Sequence, residues 1–129
     1  MKKFITFIVV AIIGLSAQAQ KVTKVEVTTS ADVETSMNAC KEAGKPNGYG
    51  SRDFDAVAGK VTLWKNYGNV GSQLIIHITA APFESGTKLT FVLPHIPANL
   101  DSYPRHIKKV ISKLSLPDIK VGEYFTGIE

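Results

Sequence analysis

The stretch PRHIKKVISKL, residues 104–114, decides which fold this chain can form. A helix turns by about 100° per residue, so a helix over this stretch separates its apolar side chains from its basic ones. The apolar arc consists of Ile107, Val110, Ile111 and Leu114. The basic side consists of Arg105, Lys108, Lys109 and Lys113. The pattern predicts an amphipathic helix over residues 104–115, which Pro117 stops from continuing.

Three partners for this helix are open: a membrane surface, an anionic molecule, or the core of the protein's own fold. Burial of the apolar arc contributes ~1.5–3 kcal/mol per side chain, whereas a helix this short is marginal when isolated in water. The stretch also lacks the Trp and Phe residues that are common in interfacial helices. These points favour a core helix with a solvated basic face, and that face is the most cationic surface that the chain offers.

The rest of the chain supplies a sheet for this helix to cover. Alternation of apolar and polar residues predicts strands at KVTKVEVTT (21–29), KVTLWKNY (60–67), QLIIHITA (73–80), KLTFVL (88–93) and DIKVGEYFTGI (118–128). Residues 31–43 predict a first helix, with Ser30 as its cap and Gly44 at its end. GKPNGYGSRDFD (44–55) predicts a loop. The order β-α-β-β-β-α-β predicts an α+β fold, a mostly antiparallel sheet of four to five strands with two helices packed on one face.

The first 19 residues have the parts of a secretory signal peptide: Lys2 and Lys3, an apolar run over 4–15, and the small-residue pattern AQA at 17–19. We therefore predict a signal peptide over 1–19 and a single globular domain over 20–129, exported to the periplasm or secreted, without a stable membrane anchor. Loss of the two lysines lowers the basic side chains from 15 to 13, against 11 acidic ones, a net charge of +2. So small an excess argues against general nucleic-acid binding.

Established motifs of catalysis, metal binding and phosphate binding are absent from the sequence. Asp53 and Asp55 lack the further oxygen ligands of a calcium loop, which makes them surface carboxylates. His77, His95 and His106 match no compact metal motif, and we expect His95 and His106 to be exposed or in loops. The sequence predicts no catalytic residue, no metal and no cofactor, and it favours a protein that is not an enzyme.

The single cysteine, Cys40, has no partner within the chain for a disulfide. It shares a helical stripe with Val33 and Met37, at spacings i, i+4 and i+7, which favours a small buried hydrophobe over a reactive thiol or an intermolecular disulfide. The fold is therefore expected to depend on packing rather than on a covalent cross-link.

Polar and aromatic side chains on the second, third and fourth predicted strands form the one candidate binding site. If Leu63 pairs with Ile78 and Ile76 with Phe91, one row on the side away from the core is formed by Trp64, His77 and Thr90, with Thr62, Asn66 and Thr79 beside it. A flat aromatic ring among hydrogen-bonding groups suits a saccharide, a peptide or another polar ligand. The alternative is that Trp64 packs beneath a loop or the N-terminal segment.

Taken together, the sequence predicts a small exported binding or interaction module without catalytic activity. Its partner is a polar ligand such as a saccharide or a peptide, or another envelope protein, and not nucleic acid. The first alternative is a cationic protein that engages envelope polymers or lipids through the basic helix 104–115. A second alternative is a hydrolase whose site is assembled from scattered residues, which requires titratable groups to converge at a pocket.

Overall fold

The computed structural model describes residues 21–67, 72–95 and 103–128. The predicted signal peptide and its cleavage site lie outside these residues. No helix in these three ranges is long and apolar enough to cross a lipid bilayer.

Two helices and a seven-stranded sheet make up the described part of the chain. In order, the elements are β1 (Lys21–Thr29), α1 (Val33–Gly44), a 3-10 turn (Lys45–Asn47), β2 (Gly50–Asp55), β3 (Lys60–Tyr67), β4 (Ser72–Phe83), β5 (Gly86–Pro94), α2 (Tyr103–Ile111), β6 (Lys120–Val121) and β7 (Phe125–Ile128). Neighbouring strands are antiparallel in the order β2-β3-β4-β5-β1, and both β6 and β7 pair with the remaining edge of β1. The predicted α+β class is confirmed, but the strand count is higher than the four to five expected.

The core lies between one face of the sheet, which we call the inner face, and the two helices. Alternation along each strand places on the inner face Val25 and Val27 of β1, Val61 and Leu63 of β3, Leu74, Ile76 and Ile78 of β4, and Leu89, Phe91 and Leu93 of β5, all buried. Met37 and Cys40 of α1 join the same cluster with no exposed area. Burial raises the pKa of the Cys40 thiol to about 12, so this cysteine is a core side chain.

The apolar arc of α2 packs into this core, as the sequence predicts. Ile107 and Val110 are 0% exposed, and Ile111 and Leu114 are each 9% exposed. The helix ends at Ile111, earlier than predicted, but tighter backbone bonds continue the turn, with Leu114 N donating to Ile111 O at 3.0 Å. Leu114 therefore stays on the buried side beyond the end of the helix.

The start of α1 corrects a prediction. Its cap is Asp32, whose Oδ1 accepts a hydrogen bond from Thr35 N at 2.8 Å. Hydrogen bonds from the backbone and the side chain of Thr35 lower the pKa of the Asp32 carboxyl. Ser30 instead donates its hydroxyl to Asp118 Oδ2 at 2.8 Å. Both residues are suitable caps by type, but the Ser30 hydroxyl is engaged by Asp118, and the carboxylate of Asp32 caps the helix instead.

Strand β2 lies where the sequence predicted a loop. The turn-forming residues are used before the strand begins: Pro46 lies in the 3-10 turn and Gly48 has the left-handed conformation, with φ of 85°. β2 is an edge strand exposed along most of its length, so it lacks the apolar alternation that identifies a buried strand. A bulge follows Arg52, and Asp55 Oδ1 then accepts from the backbone N–H groups of residues 57 and 58, at 3.1 and 2.9 Å. Asp55 therefore caps a turn.

Replacing Ile107 by Ala tests the packing of α2. The change removes buried side-chain carbons and leaves a cavity, so we expect the free energy of unfolding to fall by about 2–5 kcal/mol. Urea denaturation followed by circular dichroism measures it. The control is Lys113→Ala, an exposed position in the same segment, which should change stability by less than about 0.5 kcal/mol. Equal effects of the two changes would contradict burial of the apolar arc.

Candidate functional site

The face of the sheet opposite the helices, which we call the outer face, holds the predicted binding residues. Strand alternation places Trp64 and Asn66 of β3, His77 of β4 and Thr90 of β5 on this face. His77 and Asn66 are exposed, and Trp64 and Thr90 are half-buried. The sequence therefore predicted correctly which face these four side chains share.

The predicted row of Trp64, His77 and Thr90 is wrong, because both hairpins differ from the expected register by two residues. Trp64 pairs with Ile75, His77 lies between Thr62 and Val92, and Thr90 pairs with Thr79. A shift of two residues moves each side chain along the sheet without changing its face. The three residues consequently occupy three neighbouring rows instead of one.

His77 belongs to a row that runs across the sheet from β2 to β7. Successive partners in this row are Arg52, Thr62, His77, Val92, Lys24 and Phe125. Thr62 Oγ1 and His77 Nδ1 are 3.2 Å apart and form a hydrogen bond. Thr62 is buried while the His77 ring is exposed, so this hydrogen bond orients the ring on the surface.

Trp64 lies flat against the neighbouring edge strand. Gly50 pairs with Trp64, and a Cβ at position 50 would lie 3.2 Å from the indole Nε1 and 3.3 Å from Cε2. The guanidinium carbon of Arg52 is 5.7 Å from the ring centroid, within the range of a cation–π contact. Glycine at position 50 thus lets the indole lie across β2, and the Trp64 side chain stays partly accessible beside Arg52.

A second aromatic ring lies across a glycine at the opposite side of the outer face. The Phe125 Cζ atom is 2.9 Å from the place a Cβ of Gly127 would take, and Phe125 is 48% exposed. Aromatic rings often cover strand glycines in this way, because the glycine offers no side chain of its own to pack. Trp64 and Phe125 therefore flank the outer face with flat apolar surface.

The four predicted basic residues of helix 104–115 are all exposed. Lys108 extends its ammonium over the Tyr124 ring, 5.2 Å from the centroid. The backbone carbonyl oxygen of Lys109 accepts a hydrogen bond from Asn47 Nδ2 at 3.3 Å. Burial lowers the pKa of Lys65 on β3, and repulsion by the Lys109 charge lowers it further.

His106 is 6% exposed, so the expectation of an exposed histidine is wrong. The side chain lies beside the apolar arc, because position 106 is one helical turn from the fully buried Val110. Burial lowers the pKa of His106, and the nearby cations Lys65, Arg105 and Lys109 lower it further. His106 therefore favours the neutral imidazole.

A second threonine–histidine pair bears on the predicted hydrolase alternative. Thr23 Oγ1 lies 2.6 Å from His95 Nε2, a distance that suits a nucleophile and its base. The same hydroxyl lies 3.2 Å from Thr126 Oγ1. Thr23, however, is 0% exposed, so no substrate reaches its hydroxyl. The half-buried His95 has its pKa lowered by burial and by Lys21. The pair ties the end of β5 to β1 and β7.

A polar cleft of about 150 Å³ lies at one end of the sheet, away from both threonine–histidine pairs. Its lining includes Ser30, Glu84, Asp118 and Lys120. Ser30 and Asp118 are already hydrogen-bonded to each other. Within the described residues, no group of three or more histidine, cysteine, aspartate or glutamate side chains is placed to hold a metal ion.

Several residues that shape these surfaces were not singled out from the sequence. Gly50 and Arg52 fell in the segment predicted as a loop. The position of Lys65 could have been recognised in the sequence, because Lys65 follows Val61 and Leu63 at the alternate positions of β3 that face the core. A lysine on an otherwise apolar phase indicates a cation at the margin of the core.

Neither a scan against protein-family models nor a search of curated proteins finds a match to this chain.

Removing the Arg52 guanidinium tests its cation–π contact with the Trp64 ring. Because Trp64 is the single tryptophan, its fluorescence is unambiguous. In Arg52→Ala we expect stronger quenching by acrylamide and a red-shifted emission, since one side of the indole loses its cover. Arg105→Ala, which removes the same group from α2, should leave both readings unchanged. Unchanged emission and quenching in Arg52→Ala would contradict the contact.

The neutral form of His106 predicts how stability depends on pH. The unfolded chain takes up a proton near the ordinary pKa of 6.5, whereas the folded protein resists protonation at this site. The stability that comes from keeping His106 neutral is fully present above the ordinary pKa of 6.5, and it is lost as the pH falls below that value. Urea denaturation between pH 8 and 5 should show this decline, and His106→Gln should make it shallower. An equally steep decline in His106→Gln would show that other groups cause it.

Proposed function

We propose that the protein is a small exported binding module without catalytic activity, which holds a polar ligand on the outer face of its sheet. The observation that carries the proposal is the accessible indole of Trp64, fixed between Gly50 and Arg52 beside exposed hydrogen-bonding side chains. A fixed aromatic ring loses little conformational entropy when a ligand stacks on it.

A saccharide suits this surface best. The apolar face of a sugar ring stacks on an aromatic ring, while its hydroxyl groups need both donors and acceptors nearby. His77, Thr79 and Asn66 are exposed on the same face and offer both kinds of group. Arg52 adds a cation next to the indole, which favours a saccharide that carries a carboxylate or sulfate.

The cationic alternative has weaker support. The apolar arc of α2 is engaged in the core and does not remain for insertion into lipid, so this alternative depends on the exposed charges alone. Among those charges, the Lys108 ammonium already lies over the Tyr124 ring. The hydrolase alternative is weaker again, because the hydroxyl of Thr23 is enclosed.

Isothermal titration with a panel of neutral and acidic oligosaccharides tests the proposal. For a saccharide that binds, Trp64→Ala and His77→Ala should each raise the Kd about tenfold or more, since each removes a contact of about 1.4 kcal/mol or more. Circular dichroism should show that both variants remain folded.

The matched control is Phe83→Ala, which removes a partly exposed aromatic ring at the far end of β4 and should leave the Kd within about twofold of the original value. Binding that survives loss of Trp64 would contradict the proposal. Binding of short peptides but of no saccharide in the panel would overturn the saccharide assignment and leave the outer face as a peptide site.

A further inference from the structure

The 3-10 turn, the end of β3 and α2 come together at Asn47, and three cations lie near enough to His106 to lower its pKa further than burial alone does. We call this group, formed by Lys65, Arg105 and Lys109, the basic corner. Asn47 ties its parts: the Asn47 carbonyl oxygen accepts from Lys65 Nζ at 3.0 Å, and the Asn47 amide donates to the Lys109 carbonyl oxygen at 3.3 Å. The hydrogen bonds therefore bring a side chain of the sheet next to the helix.

We propose that the basic corner binds a tetrahedral oxyanion, a phosphate or sulfate group that is either free or part of a larger molecule.

Electrostatics gives the first argument. Arg105 and Lys109 are four residues apart on one helix, a spacing at which like charges destabilise a helix. Within the described residues, no carboxylate forms an ion pair with any member of the basic corner. Burial is the main cause of the lowered pKa values of Lys65 and His106, and repulsion among these cations lowers both further. A bound oxyanion offsets this repulsion directly.

Helix electrostatics explains only part of the arrangement. Lys109 lies in the last turn of α2, where a cation interacts favourably with the helix dipole. Arg105 lies in the first turn, where a cation is unfavourable, and Lys65 is on a strand. The helix dipole therefore stabilises only Lys109, whereas a shared anionic ligand offsets the charge of all three cations.

The corner is also organised in advance. Lys65 Nζ is held by the Asn47 carbonyl oxygen and lies 4.7 Å from the centroid of the Tyr49 ring. That hydrogen bond uses one of three ammonium donors, and the guanidinium of Arg105 has five donors in a planar fork. Tyr49 is 5% exposed, and its buried hydroxyl has no hydrogen-bond partner among the described residues. An oxyanion brings several acceptors to a place that is rich in donors.

The basic corner shares no residue with the outer face and lies on the helix side of the sheet. An oxyanion site here is thus independent of the proposed saccharide site. A negative result at one site leaves the other untouched.

Isothermal titration of the protein with inorganic phosphate, at constant ionic strength with chloride as the balancing anion, is the direct test. We expect saturable binding of one phosphate, weakened about tenfold or more in Lys65→Gln and in Lys109→Gln, as expected for loss of a charged hydrogen bond. Lys65→Arg, which keeps the charge, should retain binding. The control Lys113→Gln removes one exposed positive charge nearby and should change the Kd by no more than about twofold.

An NMR titration of His106 gives a second reading of the same event. Phosphate should raise the pKa of His106 in the original protein, because the anion offsets the neighbouring cations, and should fail to do so in Lys65→Gln. A merely structural role for Lys65 does not predict this difference.

Vesicles of phosphatidylcholine with and without phosphatidylglycerol distinguish a free anion from a lipid headgroup. Binding to the anionic vesicles that is lost in Lys65→Gln identifies a headgroup site, whereas binding of phosphate alone identifies a site for free anions. The proposal is overturned if neither probe binds in a manner that depends on Lys65, or if Lys113→Gln weakens binding as much as Lys65→Gln does.

Discussion

Burial of the α2 apolar arc against a single face of the sheet is the constraint on which the rest of the structure depends. Ile107 and Val110 are fully buried together with the inner-face side chains of the central strands. Apolar surface covered in this way is not available for lipid. Because α1 packs on the same face, the described helices leave the outer face without a helix, and that asymmetry gives the molecule two chemically different sides.

Periodicity explains what the sequence predicts well. A period of two along the strands assigns Trp64 and His77 to the same face, and a period near 3.6 along α2 assigns Ile107 to the core. Register is different, because moving a strand by two residues keeps every apolar side chain on its face. The sequence therefore predicted the face of Trp64 and His77 but not their partners, Ile75 and Thr62.

The remaining differences arise where local signals compete or are weak. β2 is an exposed edge strand that follows Pro46 and Gly48, so its sequence resembles that of a turn or loop. His106 is polar by type, yet its position beside the apolar arc buries it. Neither the cover that Arg52 gives to Trp64 nor the link that Asn47 makes between Lys65 and the backbone of α2 follows from periodicity, since each joins separate segments through tertiary packing.

The central claim is that the helices cover one face of the sheet and leave the other open. A soluble paramagnetic agent broadens the NMR signals of exposed groups, so it reports on both faces in one measurement. We expect strong attenuation of the side-chain signals of His77 and Thr79, which are exposed, and protection of Phe91 and Ile107, which are buried. Equal protection of both pairs, or attenuation of Ile107, would contradict it.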